Sequence, residues 1–469
     1  MGVLSGCATA AESDFGEEGA IESNTAALVP GQEIVINEVE SNGGSPGDWV
    51  ELMNGGAATI DVSGWFLRDD DNSHKYTLPA NSKIPAGGYL VLEEAQFSFG
   101  LGAPDAARLY NASGTLIDSY SWSSHASTTY GRCPNGTGAM ATTAASTKGL
   151  ANTCKLTMES WPGSSSVVTS DGSKVFGENL SDLAYEPSQG VLWAVQNSPS
   201  KLFRLVRSGS QWVKSTTNGW GSGKTLVYTN GSGGPDSEGL TRGDLSGTSV
   251  YVAAERNNNS SGTSRNSVLR YDISGTSTTL TAAMEWNLTA NLPSVDSNSG
   301  FEAITFVPDA ALVAMGFADE STGGLYNPAG YAAHGGGVFF VGLEANGTVY
   351  GYVLNHSNST YTRVATFSSG QAAVMALQYD ADFGYLYAHC DDTCGNTATL
   401  LTVDAATGKY TARLGFNRPS GMSNINNEGI AIAPESACSG GLKRVVWTDD
   451  SATSGHSLRD GQIDCGPLY

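Results

Sequence analysis

An all-β protein of two modules, a β-sandwich followed by a β-propeller, is what this sequence predicts, on three observations. Fifty-nine glycines, with Ser, Thr and Asn crowded between short apolar runs, describe a chain that turns often. Alternating apolar and polar runs recur throughout, while few runs keep an apolar 3.6-residue period over successive turns. From about residue 156 onward one two-strand unit repeats, as in ring-like or solenoid architectures.

A length of 469 residues admits two to four domains at ~100–200 residues each. The net charge of −22 accompanies only 15% charged residues, so it reflects a scarcity of Lys and Arg. Nucleic acid is excluded as a partner, because phosphate contacts need those bases, whereas multivalent cations suit such a chain. No segment approaches ~18 consecutive apolar residues, so no membrane-spanning helix is expected.

Seven cysteines divide into one alone and three local pairs, Cys133 with Cys154, Cys390 with Cys394, and Cys438 with Cys465. Local pairs in a Ser/Gly/Thr-rich chain point to disulfides and an oxidising compartment. Cys390 and Cys394 could hold a metal instead, but no second pair lies near to complete a zinc set. The lone Cys7 closes Leu4-Ser5-Gly6-Cys7, which resembles the lipobox of bacterial lipoproteins, where that Cys becomes the acylated first residue. The resemblance implies an exported protein of the bacterial envelope or extracellular space, reaching a membrane only through a lipid on Cys7. The six residues before Cys7 lack the basic and apolar stretches of a full leader, so a truncated or mis-started signal peptide is expected. Residues 8–31 are small and acidic and read as a flexible tether.

The first module covers residues 32–155. Strand-like runs follow closely at Glu33–Glu38, Asp48–Met53, Thr59–Leu67, Tyr76–Leu78, Gly88–Leu92, Ala107–Tyr110 and Leu116–Trp122, with turn residues between them. Seven such strands in so short a span predict a sandwich. Trp49 and Trp65 each sit in an apolar strand and are expected in the core. The runs Ile34-Val35-Ile36-Asn37-Glu38-Val39, Asp48-Trp49-Val50-Glu51-Leu52, Ser63-Gly64-Trp65-Phe66-Leu67 and Ile84-Pro85-Ala86-Gly87-Gly88-Tyr89-Leu90-Val91-Leu92 resemble the lamin tail domain. That resemblance implies an immunoglobulin-like fold and a docking role. No catalytic set is visible in this module.

The second module covers residues 156–469. Its repeat is an acid, a short apolar strand, a turn, and a second apolar strand ending in polar residues. Ser181-Asp182-Leu183 leads to Val191–Val195, and Ser237-Glu238-Gly239 leads to Val250–Ala254 with Glu255 and Arg256 after it. Phe301-Glu302-Ala303 leads to Leu312-Val313-Ala314-Met315 and on to Asp319 and Glu320. The fourth copy has Met375 where the acid should be, and leads to Tyr385–Ala388 and His389. The fifth, Asn427-Glu428-Gly429, leads to Val445-Val446-Trp447 with Asp449 and Asp450. Five blades are predicted, with six as the alternative if an insertion hides one, and residues 156–160 are expected to supply the last blade's outermost strand.

Innermost strands of a propeller run side by side along its axis, so Asp182, Glu238, Glu302 and Glu428 are expected to converge at one mouth. Clustered carboxylates repel and raise one another's pKa unless a cation neutralises them. Oxygen ligands on rigid strands suit Ca²⁺, which is the cofactor expected here. The alternative is that each acid caps a turn and faces solvent. Asp236-Ser237-Glu238-Gly239-Leu240 with Glu255-Arg256, Gly300-Phe301-Glu302-Ala303-Ile304 and Asn427-Glu428-Gly429-Ile430 also resemble the phytase-like propellers, especially the SdiA-regulated and esterase-like groups. That resemblance implies a calcium-bearing channel and hydrolysis of a small ester or phosphoester. The extended acidic signature of the alkaline phytases is absent from the sequence.

Glu255 and Arg256 are the candidate catalytic pair, a base or further ligand beside an anion-holding guanidinium. A salt bridge in a loop is the plain alternative. His389, Asp391 and Asp392 hold the matching place in the fourth repeat, and His334, His356 and His456 lie in Gly- or Ser-rich loops and read as solvated. No Gly-x-Ser-x-Gly elbow or His-Glu-x-x-His pair occurs, which argues against serine hydrolases and zinc proteases. Two functions remain open, a calcium-dependent ester or phosphoester hydrolase and a non-enzymatic adhesive or structural protein that binds an envelope or surface partner.

Overall fold

Alternation of side chains along each strand decides what the chain buries, and the computed structural model describes the outcome for residues 33–44, 46–243, 247–405 and 407–469. Cys7 and the acidic tether lie outside the described residues. The protein is all-β, and among the described residues only two short α-helices interrupt the strands, Glu94–Phe97 and Asp309–Ala314. The chain divides into two compact units, Met1–Lys155 and Leu156–Tyr469.

In the first unit Ile34–Glu40, Trp49–Asn54 and Tyr89–Glu93 form a five-stranded sheet together with Tyr130–Cys133 and Ala139–Thr142. The opposing sheet orders Tyr76–Thr77, Phe66–Arg68, Asp105–Tyr110 and Leu116–Trp122. Ile34, Ile36, Val50, Leu52, Leu67 and Leu109 from the two sheets meet in one apolar core. The expected strand at residues 59–67 is two short strands, Ile60–Asp61 and Phe66–Arg68, because Ser63 and Gly64 turn the chain between them. Trp49 is fully buried beneath the Lys148 ammonium, and Trp65 is half-buried against the core.

The outer face of the five-stranded sheet carries Asn37, Glu38 and Glu51, all fully buried. The segment after Thr142 folds back over them. Thr147 Oγ1 donates to Glu38 at 2.8 Å, the Gly149 amide donates to Glu51 at 2.5 Å, and the Asn152 side chain donates to the Asn37 carbonyl at 2.9 Å. The Cys133–Cys154 disulfide ties this cover to the sheet edge. Burial pushes the Glu38 carboxyl up and the Glu51 carboxyl up to about 7.

Among the described residues the second unit contains five mainly antiparallel sheets of four or more strands, in chain order by their first strands, beside the two-stranded pair Ala318–Asp319 with Gly324–Leu325. The first strands of the five are Leu180–Glu186, Pro235–Arg242, Phe301–Pro308, Ala376–Asp380 and Ile430–Ile432, each in contact with the next and the last with the first. Apolar residues line both faces of each of the five, so each packs on two neighbours. Trp193 and Leu269 meet between the first and second sheets, Trp286 and Phe339 between the second and third, and Phe340 and Tyr410 between the third and fourth. Tyr387 and Trp447 meet between the fourth and fifth, and Trp212 and Val446 between the fifth and first. Each such side chain withdrawn from water stabilises the ring by ~1.5–3 kcal/mol.

Two expectations for this unit are corrected. Leu312–Met315 is not the second strand of the third sheet but lies in and just after the helix Asp309–Ala314, and that strand is Gly337–Leu343. Asp309 sits in the helix's first turn and Gly316 follows at φ +66, start and stop signals that a short apolar run conceals. The outermost strand of the fifth sheet is Val168–Thr169, which pairs antiparallel with Leu458–Asp464. Met158–Glu159, within the segment expected there, instead pairs in parallel with Tyr410–Phe416 of the fourth sheet.

Candidate functional site

The site is built where the first strands begin. Three of them open with a β-bulge that inserts one unpaired residue, Ser181 in the first sheet, Glu238 in the second and Glu302 in the third. Gly429 follows Glu428 as Gly239 follows Glu238, and both glycines are demanded by close packing between strands. A Cβ on Gly239 would lie 2.7 Å from the Ile304 nitrogen, and one on Gly429 would lie 2.6 Å from the Asp182 Cα.

The bulges place Asp182 one position beyond the other acids, in register with Gly239 and Ala303. Its fully buried carboxylate accepts from the Leu183 and Leu240 amides, each at 2.7 Å, and from the Ile430 amide. Asp182 therefore ties the first strand to its two neighbours and does not join Glu238, Glu302 and Glu428. Ser181 takes the corresponding place instead, and its hydroxyl donates to Glu238 Oε2 at 2.8 Å.

Glu238, Glu302 and Glu428 are brought together, and the ends of the second strands add further acids. Ligand-capable oxygens of Asp236, Glu238 and Glu255 all lie within 4.8 Å of one another, and the three residues are buried. Glu302 lies in the field of Glu238, Glu255, Glu428 and Glu344, and Glu428 in that of Asp450, Glu238 and Asp391. Burial first, and like charge second, holds Glu238 and Glu302 well above the usual carboxylate range. Burial and the adjacent Asp450 do the same to Glu428. Burial also pushes Glu255 up to about 7, against the Gly300 amide and Arg256, and Asp450 up to about 6. Glu344 is raised by burial and by Asp391.

Donors around this cluster are few. Asn197 Nδ2 reaches both Glu238 oxygens at 3.1 and 3.2 Å, and Asn426 Nδ2 bridges Glu428 and Asp450 at 3.1 and 3.2 Å. Among the described residues Glu428 Oε2 and Asp450 Oδ1 are buried without a hydrogen-bond partner. Arg256 is the one cation in ion-pair contact with these acids among the described residues. Its Nε lies 2.6 Å from Asp236 Oδ2 and its Nη1 3.2 Å from Glu255 Oε1, and Nη1 also donates to the Ser297 carbonyl at 3.2 Å. Beyond the acids, Leu183, Leu240, Ile304, Leu377 and Ile432, one from each first strand, line an open cavity of about 260 Å³.

Asp236, Asp391 and Asp450 were legible as acids beside the repeat, but only register shows that they face the cluster. Glu344 was hidden because the strand it follows was misplaced. His389 is fully buried, with burial alone driving its pKa down to about 3, and none of the acids bonds to it. The other histidines are not solvated as expected. His356 packs against Tyr251 and Trp286 with its pKa pushed down to about 4, His334 pairs with Asp309 at 2.8 Å, and His456 pairs with Asp171 at 3.2 Å. Cys390–Cys394 and Cys438–Cys465 are disulfides, so Cys390 and Cys394 are not thiolate ligands.

The fold and site define an all-β protein that joins a β-sandwich to a ring of sheets with a buried carboxylate cluster at its axis. Comparison with known families agrees with both halves. Residues 29–124 match the Lamin Tail Domain, so the first unit is immunoglobulin-like. Residues 176–322 match the phytase-like family described as "Esterase-like activity of phytase", a β-propeller-type domain, and this match contains Asp182, Glu238, Glu255, Arg256 and Glu302 but not Glu428. No curated protein matches the chain. Solved structures include a nidogen/laminin complex, at 10% identity over 62% of this chain and 81% of that one, with a TM-score of 0.30. The hydrazine synthase of Kuenenia stuttgartiensis is similar at 11% identity over 59% of this chain and 57% of that one, also with a TM-score of 0.30.

Proposed function

We propose that the five sheets are the blades of a five-bladed propeller whose acidic mouth holds Ca²⁺, and that the protein hydrolyses a small carboxylic ester or phosphoester there. In this proposal the chain is exported and held at the bacterial envelope by a lipid on Cys7, with the lamin-tail-like unit docking it to a surface. The observation that carries the metal reading is the convergence of Asp236, Glu238 and Glu255 oxygens within 4.8 Å, buried, with Glu302 and Glu428 adjoining. A hard dication satisfies such a donor set, including the partnerless Glu428 oxygen. Asp236, Glu238 and Glu255 would hold it, with Glu302 and Glu428 next to them.

When bound, calcium supplies Lewis acidity toward an ester or phosphoester oxygen. In the metal-free chain burial pushes Glu255 up to about 7, so it can hold a proton near neutrality, and as a ligand it would give that proton up. Arg256 orients Glu255 and Asp236 by holding both carboxylates. That same engagement favours the second reading, in which calcium only rigidifies the ring and both units bind. Arg256 is already committed to two carboxylates and a carbonyl.

Hydrolysis of p-nitrophenyl acetate and p-nitrophenyl phosphate by the full chain, with calcium and with chelator, tests the proposal. Turnover that chelator abolishes and Glu255→Gln removes supports the hydrolase. Calcium-dependent thermal stability without turnover on either substrate class rejects it in favour of the binding protein.

A further inference from the structure

A second polar site lies apart from the acidic cluster, where the first and fifth sheets meet. A cavity of about 510 Å³ opens there, lined by Tyr185 of the first sheet and by Arg444, Asp460 and Gln462 of the fifth, with Ser166 and Ser439 at its edge. Asp460 is its one acid. Arg444 Nε lies 3.2 Å from Asp460 Oδ1, and Arg207 Nη1 lies 3.1 Å from Oδ2, so two guanidiniums share one carboxylate. Arg207 is held from behind, its guanidinium 5.2 Å from the centroid of the buried Trp212 ring.

A guanidinium offers five N–H donors. Among the described residues Arg444 makes only the Asp460 contact, and its side chain is 41% exposed against 12% for Asp460. Arg207 offsets the charge of Asp460, which leaves the charge of Arg444 uncompensated at the cavity wall. Net positive charge in a walled groove is unexpected in a chain of net charge −22. The two arginines also repel, and burial first, then the charge of Arg444, lowers the proton affinity of Arg207.

We infer that this groove is an oxyanion-binding site, in which Arg444 takes a carboxylate or phosphate group and the Ser166, Ser439, Tyr185 and Gln462 side chains supply neutral donors around it. The planar fork of Arg444 matches either group in bidentate fashion. Asp460 acts as a resident competitor that positions Arg444 and keeps affinity low, in the millimolar range expected of one exposed guanidinium contact. The site is independent of the calcium proposal, because it shares no residue with the acidic mouth.

Calorimetric titration of the full chain, stripped of metal and then exchanged out of chelator, tests it, with inorganic phosphate in one arm and succinate in the other. Stripping removes any anion binding through a metal, and the exchange removes the chelator's own carboxylates. Saturable binding in either arm, weakened about tenfold in Arg444→Gln, is expected, and the arm that binds more tightly identifies the group. Asp460→Asn removes the competitor and should tighten binding by a similar factor, a sign that loss of structure cannot produce. Thermal melts establish that each variant is folded, and Arg444→Gln, on an exposed side chain, is the variant least exposed to that failure. No saturation in either arm by about 20 mM, or equal affinity in wild type and a folded Arg444→Gln, would overturn the inference.

Discussion

Replacing Glu255 by Gln removes one charge from the acidic cluster and keeps an oxygen for the Gly300 amide, which donates to Glu255 at 3.1 Å. The carboxyl rises from 4.5 to about 7, chiefly through burial, which at ~1.4 kcal/mol per decade makes the ionised group cost the fold about 3 kcal/mol. In the unfolded chain this acid ionises near 4.5 and in the fold near 7. Between those values the unfolded state loses its proton first, so stability falls as pH rises through the window. The full cost is present above it, and below it both states hold the proton and the cost vanishes. In chelator, Glu255→Gln should therefore melt higher than wild type by about 5 °C near pH 8, and by less than about 2 °C near pH 5. Differential scanning calorimetry at the two pH values reads this directly. An equal or lower melting temperature near pH 8, or the same gain at both pH values, would refute the reasoning.

Three further outcomes are expected. Asp182→Ala leaves the Leu240 and Ile430 amides without their acceptor and should cost about 2–4 kcal/mol of stability, while calcium affinity measured by titration stays as in wild type. Loss of calcium affinity in that variant would return Asp182 to the cluster. Cys133→Ser with Cys154→Ser should destabilise the first unit by about 2–4 kcal/mol and speed hydrogen exchange at the Thr147 and Gly149 amides, which donate to Glu38 and Glu51. Glu51→Gln should raise the first unit's melting temperature more near neutral pH than near pH 5, since its carboxyl also rises from 4.5 to about 7 and its cost appears over that window.

Much of this architecture was legible because strands repeat a local pattern. The run Leu116–Trp122 is a strand over its full expected length, and all three cysteine pairs form the disulfides that their spacing implied. What escaped depends on register rather than on residue type. Ser181-Asp182 reads like Ser237-Glu238, yet the bulge puts Ser181, not Asp182, beside Glu238, and no string of letters marks a bulge. The strands Tyr130–Cys133 and Ala139–Thr142 were missed because their Gly, Arg and Ala residues lack the apolar alternation that signals a half-buried strand. The Leu312–Met315 run is apolar in either conformation, and placing it in a strand displaced the following acid from Glu344 to Asp319.

Direct calcium titration of the full chain tests the central proposal most closely. Binding to Asp236, Glu238 and Glu255 needs their ionised forms, so calcium should bind saturably, release protons in proportion to the raised carboxyls, and raise the melting temperature. Glu238→Gln should weaken that binding by at least about tenfold, while Asp182→Asn should not. A chain that takes up no calcium at millimolar concentration, or that binds it without proton release and equally well after Glu238→Gln, would contradict a metal centre at this mouth.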